Sequence, residues 1–157
     1  MTEISIQEAM DAGRGEVALR GWVHRERGSN KLKFIVLRDS TNIIQCILKK
    51  DQFEQSWDEI DKIQNETSIK IKGEIKKDER APTGFEVVVK EYEIVGESDS
   101  FPITKDQSIE FLADNRHLWI RSRKMTAILK IRSTIVGAIH EFFRSRKYHE
   151  FHSCQTF

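Results

Sequence analysis

The spacing of apolar and polar residues changes several times along the chain, and each change marks a predicted element. Alternation of apolar and polar residues is typical of strands with one buried face, and residues 16–27, 68–76 and 85–95 show it. Two further strands are predicted over residues 32–38 and 43–48, which the turns at residues 28–30 and 39–42 delimit. Helical spacing covers residues 51–63, with apolar residues at i, i+4 and i+7: Phe53, Trp57 and Ile60. A short helix is also predicted over residues 1–12, because Ser5 and Glu8 have capping-box spacing and Gly13 ends it.

The order of these segments indicates a fold class. It reads strand-strand-strand-helix-strand-strand within about 80 residues, which matches a mainly β, five-stranded barrel of the OB type. The helix between the third and fourth strands is expected to close one end of this barrel. Gly21 and Gly73 lie inside predicted strands and fit the tight bends that a small barrel needs. Other five-stranded barrels, and an open antiparallel sheet with one helix, share this order and stay open as alternatives.

Beyond Val95 the chain changes character. Residues 96–107, which include Pro102, have the composition of a linker, and a long amphipathic helix is predicted over residues 121–147. Its apolar stripe comprises Ile128, Ile131, Ile135, Ile139, Phe142 and Phe143. Residues 148–153 have the pattern of the beginning of a strand. Because one long helix buries little by itself, it packs on the barrel, pairs with another copy or belongs to a further domain, and we favour the last.

Composition excludes several classes of protein. The 157 residues are 38% hydrophobic and 32% charged, with 8 Gly and 2 Pro, which excludes a disordered or fibrous chain. Apolar runs are only a few residues long, so we expect no membrane span. The N-terminus lacks the apolar stretch of a secretory signal. Cys46 and Cys154 cannot form a disulfide framework, which favours a reducing, cytoplasmic compartment.

The net charge of +1 hides a segregation of charge along the chain. Residues 51–66 carry a balance of −5, whereas residues 114–147 carry nine Lys and Arg against two acidic residues. Residues 20–33 form a second basic stretch, with five Lys and Arg against Glu26. Separated basic segments favour a polyanionic partner, although solvated charged faces give the same pattern.

Nucleic-acid binding is the chemistry that the predicted strands support best. OB barrels bind single strands on strands two and three, where aromatic rings stack on bases and basic residues meet the backbone. Phe34 in the second strand offers such a ring, and Gln45 in the third offers an amide that can read a base edge. Phe34 shares its face with Leu32 and Val36, so a core position is the alternative. Gln45 is a polar residue on an apolar alternation and therefore needs a partner.

Other chemistry finds little support in the sequence. His149, His152 and Cys154 form a cluster, but no fourth ligand stands at a matching spacing, so no metal site is predicted. Cys46 lies inside a strand and is predicted to be a small core residue. The chain has no phosphate-binding Gly-rich loop and no Gly-x-Ser-x-Gly, so no catalytic residue is assigned.

Two stretches resemble a known family. GWVHRER from Gly21 to Arg27, FIVLRD from Phe34 onward, and Ile44-Gln45 resemble the OB anticodon-binding domain of class II aminoacyl-tRNA synthetases for aspartate, asparagine and lysine. Residues 109–122 (IEFLADNRHLWIRS) resemble the hinge of the asparagine branch of that family. Residues 130–153 are similar to motif 1 of the class II catalytic domain. The resemblance extends over about residues 15–153, with the motifs in the family's order and spacing.

The resemblance implies a domain organisation and roles for particular residues. It implies an OB domain over residues 1–100, a hinge over 101–123, and the incomplete beginning of a class II α+β catalytic domain over 124–157. In the family, an aromatic stack, an amide and an arginine hold the central uridine of the anticodon, and the matching residues are Phe34, Gln45 and Arg27. The implied partner is a tRNA with the anticodon GUU. The implied homodimer interface comprises Ile131, Ile135, Ile139 and Phe142.

The chain also departs from the family. Motifs 2 and 3, which carry the ATP-binding and catalytic residues, have no counterpart, so we expect no adenylate formation and no cofactor in this chain alone. ATP and magnesium are implied for the parent enzyme. Residues 154–157 are off the family pattern, which favours a truncated or frameshifted chain or part of a split gene.

Two alternatives stay open. One is an aspartyl-tRNA synthetase, including forms that accept both tRNAs, because the central uridine is shared. The other is a free-standing RNA-binding module. A DNA partner is not predicted, because general single-strand binders use several platform aromatics and Phe34 is the one well-placed ring.

Overall fold

The computed structural model describes residues 2–103 and 107–151. The chain divides into two compact units, Met1–Pro102 and Ile103–Phe157. The first unit contains the strands and the second contains the long helix.

The alternating segments form five strands. They are β1 Gly15–Gly28, β2 Leu32–Arg38, β3 Ile43–Lys49, β4 Ser68–Lys77 and β5 Phe85–Gly96. The strands close into a barrel in the order β1-β2-β3-β5-β4, with β3 and β5 parallel and the other neighbours antiparallel. The closed barrel confirms the predicted OB arrangement and excludes the open sheet.

The inner face of the barrel forms one apolar core. Along β4, the alternation puts Ile69, Ile71 and Ile75 inside, each at most 2% exposed. Burying a side chain of this size contributes about 1.5–3 kcal/mol to stability. Cys46 of β3 is also fully buried, which confirms it as a core residue. Burial raises the pKa of its thiol to about 12, so the thiol stays protonated and unreactive at neutral pH.

Two strand glycines stand where the backbone of a neighbouring strand comes close. A Cβ on Gly21 would lie inside van der Waals contact of the Arg38 carbonyl oxygen, and one on Gly73 would do the same at the Val88 carbonyl oxygen. Because these neighbours are backbone atoms, a side chain at either position forces the strands apart. The close approach of neighbouring backbone explains glycine at both positions, and the expectation that they serve tight bends stays a prediction.

Helix α1, Ile6–Ala12, covers part of the core. Its capping box is present as predicted: Ser5 Oγ accepts from the Glu8 backbone N–H, and the Ser5 N–H donates to Glu8 Oε2 at 2.7 Å. Gly13 ends the helix in the left-handed conformation (φ 67°). Ile6 is fully buried. Helix α1 therefore contributes to the core, as does the helix between the third and fourth strands.

The helix predicted over residues 51–63 is shorter than its spacing indicates. Two 3₁₀ turns, Lys50–Gln52 and Glu54–Ser56, precede α2, Trp57–Asp61. Between the turns Phe53 leaves the helical region (φ −128°, ψ 35°), where its ring packs edge-on to Tyr92 of β5 at 5.4 Å. Tertiary packing therefore breaks the helix, while Trp57 still faces the core.

The described part of the second unit contains three helices: α3 Ile109–Asp114, α4 Arg116–Trp119 and α5 Arg123–Ser145. Helix α5 confirms the predicted long helix and is two residues shorter at each end. The strand predicted from Tyr148 is not formed in the described part of it, residues 148–151. Instead the chain turns back along α5, where Tyr148 packs edge-on to Phe143 and Glu150 pairs with Arg144. Residues 152 and 153 of that prediction lie outside the described residues.

Candidate nucleic-acid interface

Arg27, Phe34 and Gln45 meet on the outer face of β1, β2 and β3. The Arg27 guanidinium carbon lies 4.9 Å from the centroid of the Phe34 ring, a cation–π contact. Arg27 Nη2 donates to Gln45 Oε1 at 3.4 Å. Three side chains separated by up to 18 positions thus form one continuous surface of ring, cation and amide.

The strand β2 presents Phe34 outward. Ile35 and Leu37 are fully buried, whereas Phe34 and Val36 alternate with them and are half-buried. The interpretation of Phe34 as a core residue is therefore wrong. The sequence pattern misleads because both faces of this strand are largely apolar, so the alternation does not identify the inner one.

A bulge in β1 decides the face that Arg27 occupies. The pairing of β1 with β2 shifts by one residue at His24. Before the shift, Val23 stands opposite the core residue Leu37; after it, Arg27 stands opposite Phe34. Since directly opposed residues share a face, the bulge moves Arg27 from the inner face, where an unbroken alternation would put it, to the outer one.

Arg38 braces this bulge from β2. Its Nη2 donates to Glu66 Oε2 at 2.9 Å, and its Nη1 lies 3.2 Å from His24 Nδ1. The Glu66 backbone N–H in turn donates to the Val23 carbonyl. The pair is largely buried, with side-chain exposures of 15% for Arg38 and 9% for Glu66, so solvent screens it little. The network holds the strand in the register that Arg27 needs.

Gln45 has partners on both sides. The residue is 6% exposed; besides accepting from Arg27, its Nε2 donates to Glu86 Oε2 at 3.4 Å. This answers the prediction that a polar residue on an apolar strand needs a partner. Sequence analysis missed Glu86, because the parallel pairing of β3 with β5 that sets it beside Gln45 has no local signal.

Lys33 is a second residue that sequence analysis missed. It lies on the inner face of β2 and is 4% exposed. Its Nζ lies 2.9 Å from Glu26 Oε2 and donates to the Asp61 carbonyl oxygen at the end of α2, also at 2.9 Å. The sequence did contain a signal for it: Lys33 shares a strand face with Ile35, and a lysine on a buried face needs an ion-pair partner. The ion pair links the two strands of the β1–β2 hairpin, and the hydrogen bond to Asp61 ties this hairpin to α2.

The four residues of the implied dimer interface lie on one side of α5. Ile131, Ile135, Ile139 and Phe142 are each between 49% and 61% exposed. Ile135, Ile139 and Phe142 line a shallow apolar hollow together with Ala138 and Phe143. Exposed side chains of this size on one helix face are typical of association surfaces.

Membrane spans and metal sites are both absent from residues 2–103 and 107–151. No helix there is long and apolar enough to cross a membrane. No group of three His, Cys, Asp or Glu side chains there could hold a metal ion. Of the cluster of His149, His152 and Cys154, the last two lie outside the described residues.

Comparison with known proteins identifies the relatives of the chain. The tRNA anti-codon family model, an OB-fold nucleic acid binding domain, matches residues 17–95. An asparagine–tRNA ligase from Thermoplasma acidophilum is 46% identical over 136 residues, which cover 86% of this chain and 32% of that protein.

The solved structures that resemble this chain are also aminoacyl-tRNA synthetases. The chain resembles asparaginyl-tRNA synthetase from Pyrococcus horikoshii, solved with asparaginyl-adenylate, with a TM-score of 0.85 and 34% identity over 97% of this chain and 36% of that one. An aspartyl tRNA synthetase from Entamoeba histolytica has a TM-score of 0.83 at 21% identity, over 98% and 39% of the two chains, which shows likeness of fold. The chain therefore spans about a third of the length of these relatives.

Proposed function

The chain belongs to the tRNA anti-codon family of OB-fold nucleic acid binding domains, and from this we propose that it binds the anticodon loop of a transfer RNA. The observation that carries the proposal is the meeting of Arg27, Phe34 and Gln45 on one face of the barrel. Phe34 offers a ring on which an unstacked base can lie, a contact worth about 1–3 kcal/mol. Gln45 offers an amide to the edge of that base, and Arg27 offers a cation beside both.

The base we assign to this site is the central uridine of the anticodon. Uracil has a carbonyl acceptor at position 4 and an N–H donor at position 3, so one amide group can form two hydrogen bonds with its edge. With relatives named as asparagine–tRNA ligases, we assign the anticodon GUU and the asparagine tRNA.

The reaction that this span serves is the ATP-dependent attachment of asparagine to its tRNA, with magnesium as the metal and the cytoplasm as the compartment. The support is the name shared by relatives of which this chain spans about a third. Residues 2–103 and 107–151 hold no cluster fit for a metal ion. Because motifs 2 and 3 of the class II catalytic domain have no counterpart in the sequence, we assign neither ATP nor magnesium to any residue of this chain and propose that it forms no adenylate by itself.

We assign the apolar face of α5 to a homodimer. Ile131, Ile135, Ile139 and Phe142 supply the exposed apolar surface, and a second copy could cover it with the same surface by two-fold symmetry. Ile135→Glu should shift the chain toward monomer in sedimentation velocity, because a carboxylate would be buried without a partner. If the wild type sediments as a monomer at all concentrations, this chain does not dimerise through α5.

A titration of the full chain with two stem-loops tests the main proposal. One loop carries the anticodon GUU, and the other differs only in its central base, as GCU. We expect the GUU loop to bind more tightly by about 1–3 kcal/mol, the value of a matched base edge. A third loop, GUC, separates the asparagine reading from the aspartate alternative. Equal binding of GUU and GCU at every salt concentration would show only a basic surface and would refute anticodon reading.

A further inference from the structure

The side-chain amide of Gln45 stands between opposite charges. On one side Arg27 Nη2 donates to its Oε1; on the other its Nε2 donates to Glu86 Oε2, both at 3.4 Å. Gln45 and Glu86 are also directly paired residues of the parallel strands β3 and β5. A guanidinium only donates hydrogen bonds and a carboxylate only accepts them. The amide therefore has one favourable orientation, with its oxygen toward Arg27 and its nitrogen toward Glu86.

The orientation of an amide matters for the choice between uracil and cytosine. Uracil presents an acceptor at position 4 and a donor at position 3, and cytosine presents a donor and an acceptor at the same positions. A glutamine amide that rotates by 180° exchanges its oxygen and nitrogen, and it can then pair with either base. Discrimination between these two pyrimidines consequently requires that the rotation be prevented.

We propose that Glu86 is a specificity-determining positioning residue, which fixes the Gln45 amide in the orientation that accepts uracil and rejects cytosine. The inference rests on the proposed function, since it concerns the same base site. The amide uses one hydrogen-bonding position of each of its two atoms internally and keeps one of each for the base: a lone pair on Oε1 and an N–H on Nε2. For cytosine to bind, the amide must rotate and lose its bonds to both Arg27 and Glu86.

The experiment compares Glu86→Gln with wild type, using the full chain and the GUU and GCU stem-loops. The substitution keeps the size of the side chain, but the new amide can donate as well as accept, so the Gln45 amide loses one of its two restraints. We expect the preference for GUU over GCU to fall about tenfold, which corresponds to one hydrogen bond to a charged group of about 1.5 kcal/mol. Most of the change should be tighter binding of GCU.

Glu91→Gln is the matched control. Glu91 lies on the same strand, is exposed and pairs with Lys72 at 2.6 Å; it follows Glu86 by five positions, about 17 Å of strand. The Glu91→Gln substitution removes the same charge as Glu86→Gln. Both loops should therefore bind more tightly by an equal factor, and the ratio of GUU to GCU affinity should not change. Circular dichroism and thermal unfolding verify the fold of each variant, and Glu86→Ala provides a second substitution without any hydrogen-bonding group.

A measurement without RNA tests the restraint separately from the function. In ¹⁵N-labelled protein, the side-chain NH₂ signals of Gln45 are identified by their loss in Gln45→Ala. We expect Glu86→Gln to shift them and Glu91→Gln to leave them in place. Unchanged signals in Glu86→Gln, or an unchanged GUU-to-GCU ratio in both Glu86 variants, would overturn the role of Glu86 and leave anticodon binding intact. A wild type without any GUU preference would instead overturn the proposed function, and the specificity role with it.

Discussion

Replacing Lys33 by Met should destabilise the barrel measurably, although the substitution keeps the length and the apolar stem of the side chain. The Lys33 side chain is 5% exposed, and its ammonium has two partners, Glu26 Oε2 and the Asp61 carbonyl oxygen, each at 2.9 Å. Removing the ammonium leaves the carbonyl at the end of α2 without this donor and releases the hairpin from the helix. Glu26 loses its ion-pair partner but is 35% exposed, so water can replace part of that interaction.

The magnitude follows from these exposures. Breaking a fully buried pair costs about 3–5 kcal/mol, and the partial exposure of Glu26 lowers this value. One lost hydrogen bond to a charged donor is worth about 1.5–3 kcal/mol. We therefore expect Lys33→Met to lower the free energy of unfolding by about 2 kcal/mol. With a urea m-value of about 2 kcal/mol/M, the unfolding midpoint falls by about 1 M.

Urea unfolding followed by tryptophan fluorescence and circular dichroism measures this change. Lys31→Met, at an exposed lysine of the same hairpin, is the control and should lie within about 0.5 kcal/mol of wild type. Glu26→Gln should cost more than Lys33→Met, because it leaves a buried cation with a neutral partner. The reasoning fails if Lys33→Met is as stable as wild type, or if Glu26→Gln is the milder of the two.

Three further outcomes are expected from the same structure. Phe34→Ala and Gln45→Ala should each weaken binding of the GUU stem-loop by about 1–3 kcal/mol while the circular dichroism spectrum of the barrel is kept, because neither side chain belongs to the inner core; equal affinities for all three proteins would count against the site. Gly73→Ala should lower the melting temperature, since its Cβ would meet the Val88 carbonyl and lie 2.9 Å from a methyl carbon of Val87; an unchanged melting temperature would contradict the close approach. Deleting residues 121–157 should leave the sheet signal in circular dichroism unchanged, because the barrel has its own core; loss of that signal would show that α5 supports the barrel.

The sequence by itself determined the elements that depend on local period and local capping. Alternation, together with the turns at residues 28–30 and 39–42, identified five strands, because a strand with one buried face repeats every two residues and turns delimit the strands beside them. The capping box at Ser5 and the glycine at position 13 indicated α1 from the local sequence. The N–H groups of Ile6 and Gln7 also donate to Asp39 Oδ2 and Thr41 Oγ1, contacts that only the folded chain provides. Resemblance to a family pointed to three interface residues, Arg27, Phe34 and Gln45. It did not identify the residues that contact them in the folded chain.

The tertiary structure decided which face each strand turns outward. Phe34 is outside because β2 is apolar on both faces and only the closed barrel selects the inner one. Arg27 joins it because one extra residue at His24 reverses the alternation of β1, and a period of two cannot reveal where a bulge falls. Glu86 reaches Gln45 through parallel strands 41 positions apart. Contacts of this range depend on the register of the whole barrel, which the spacing of residues along one strand does not contain.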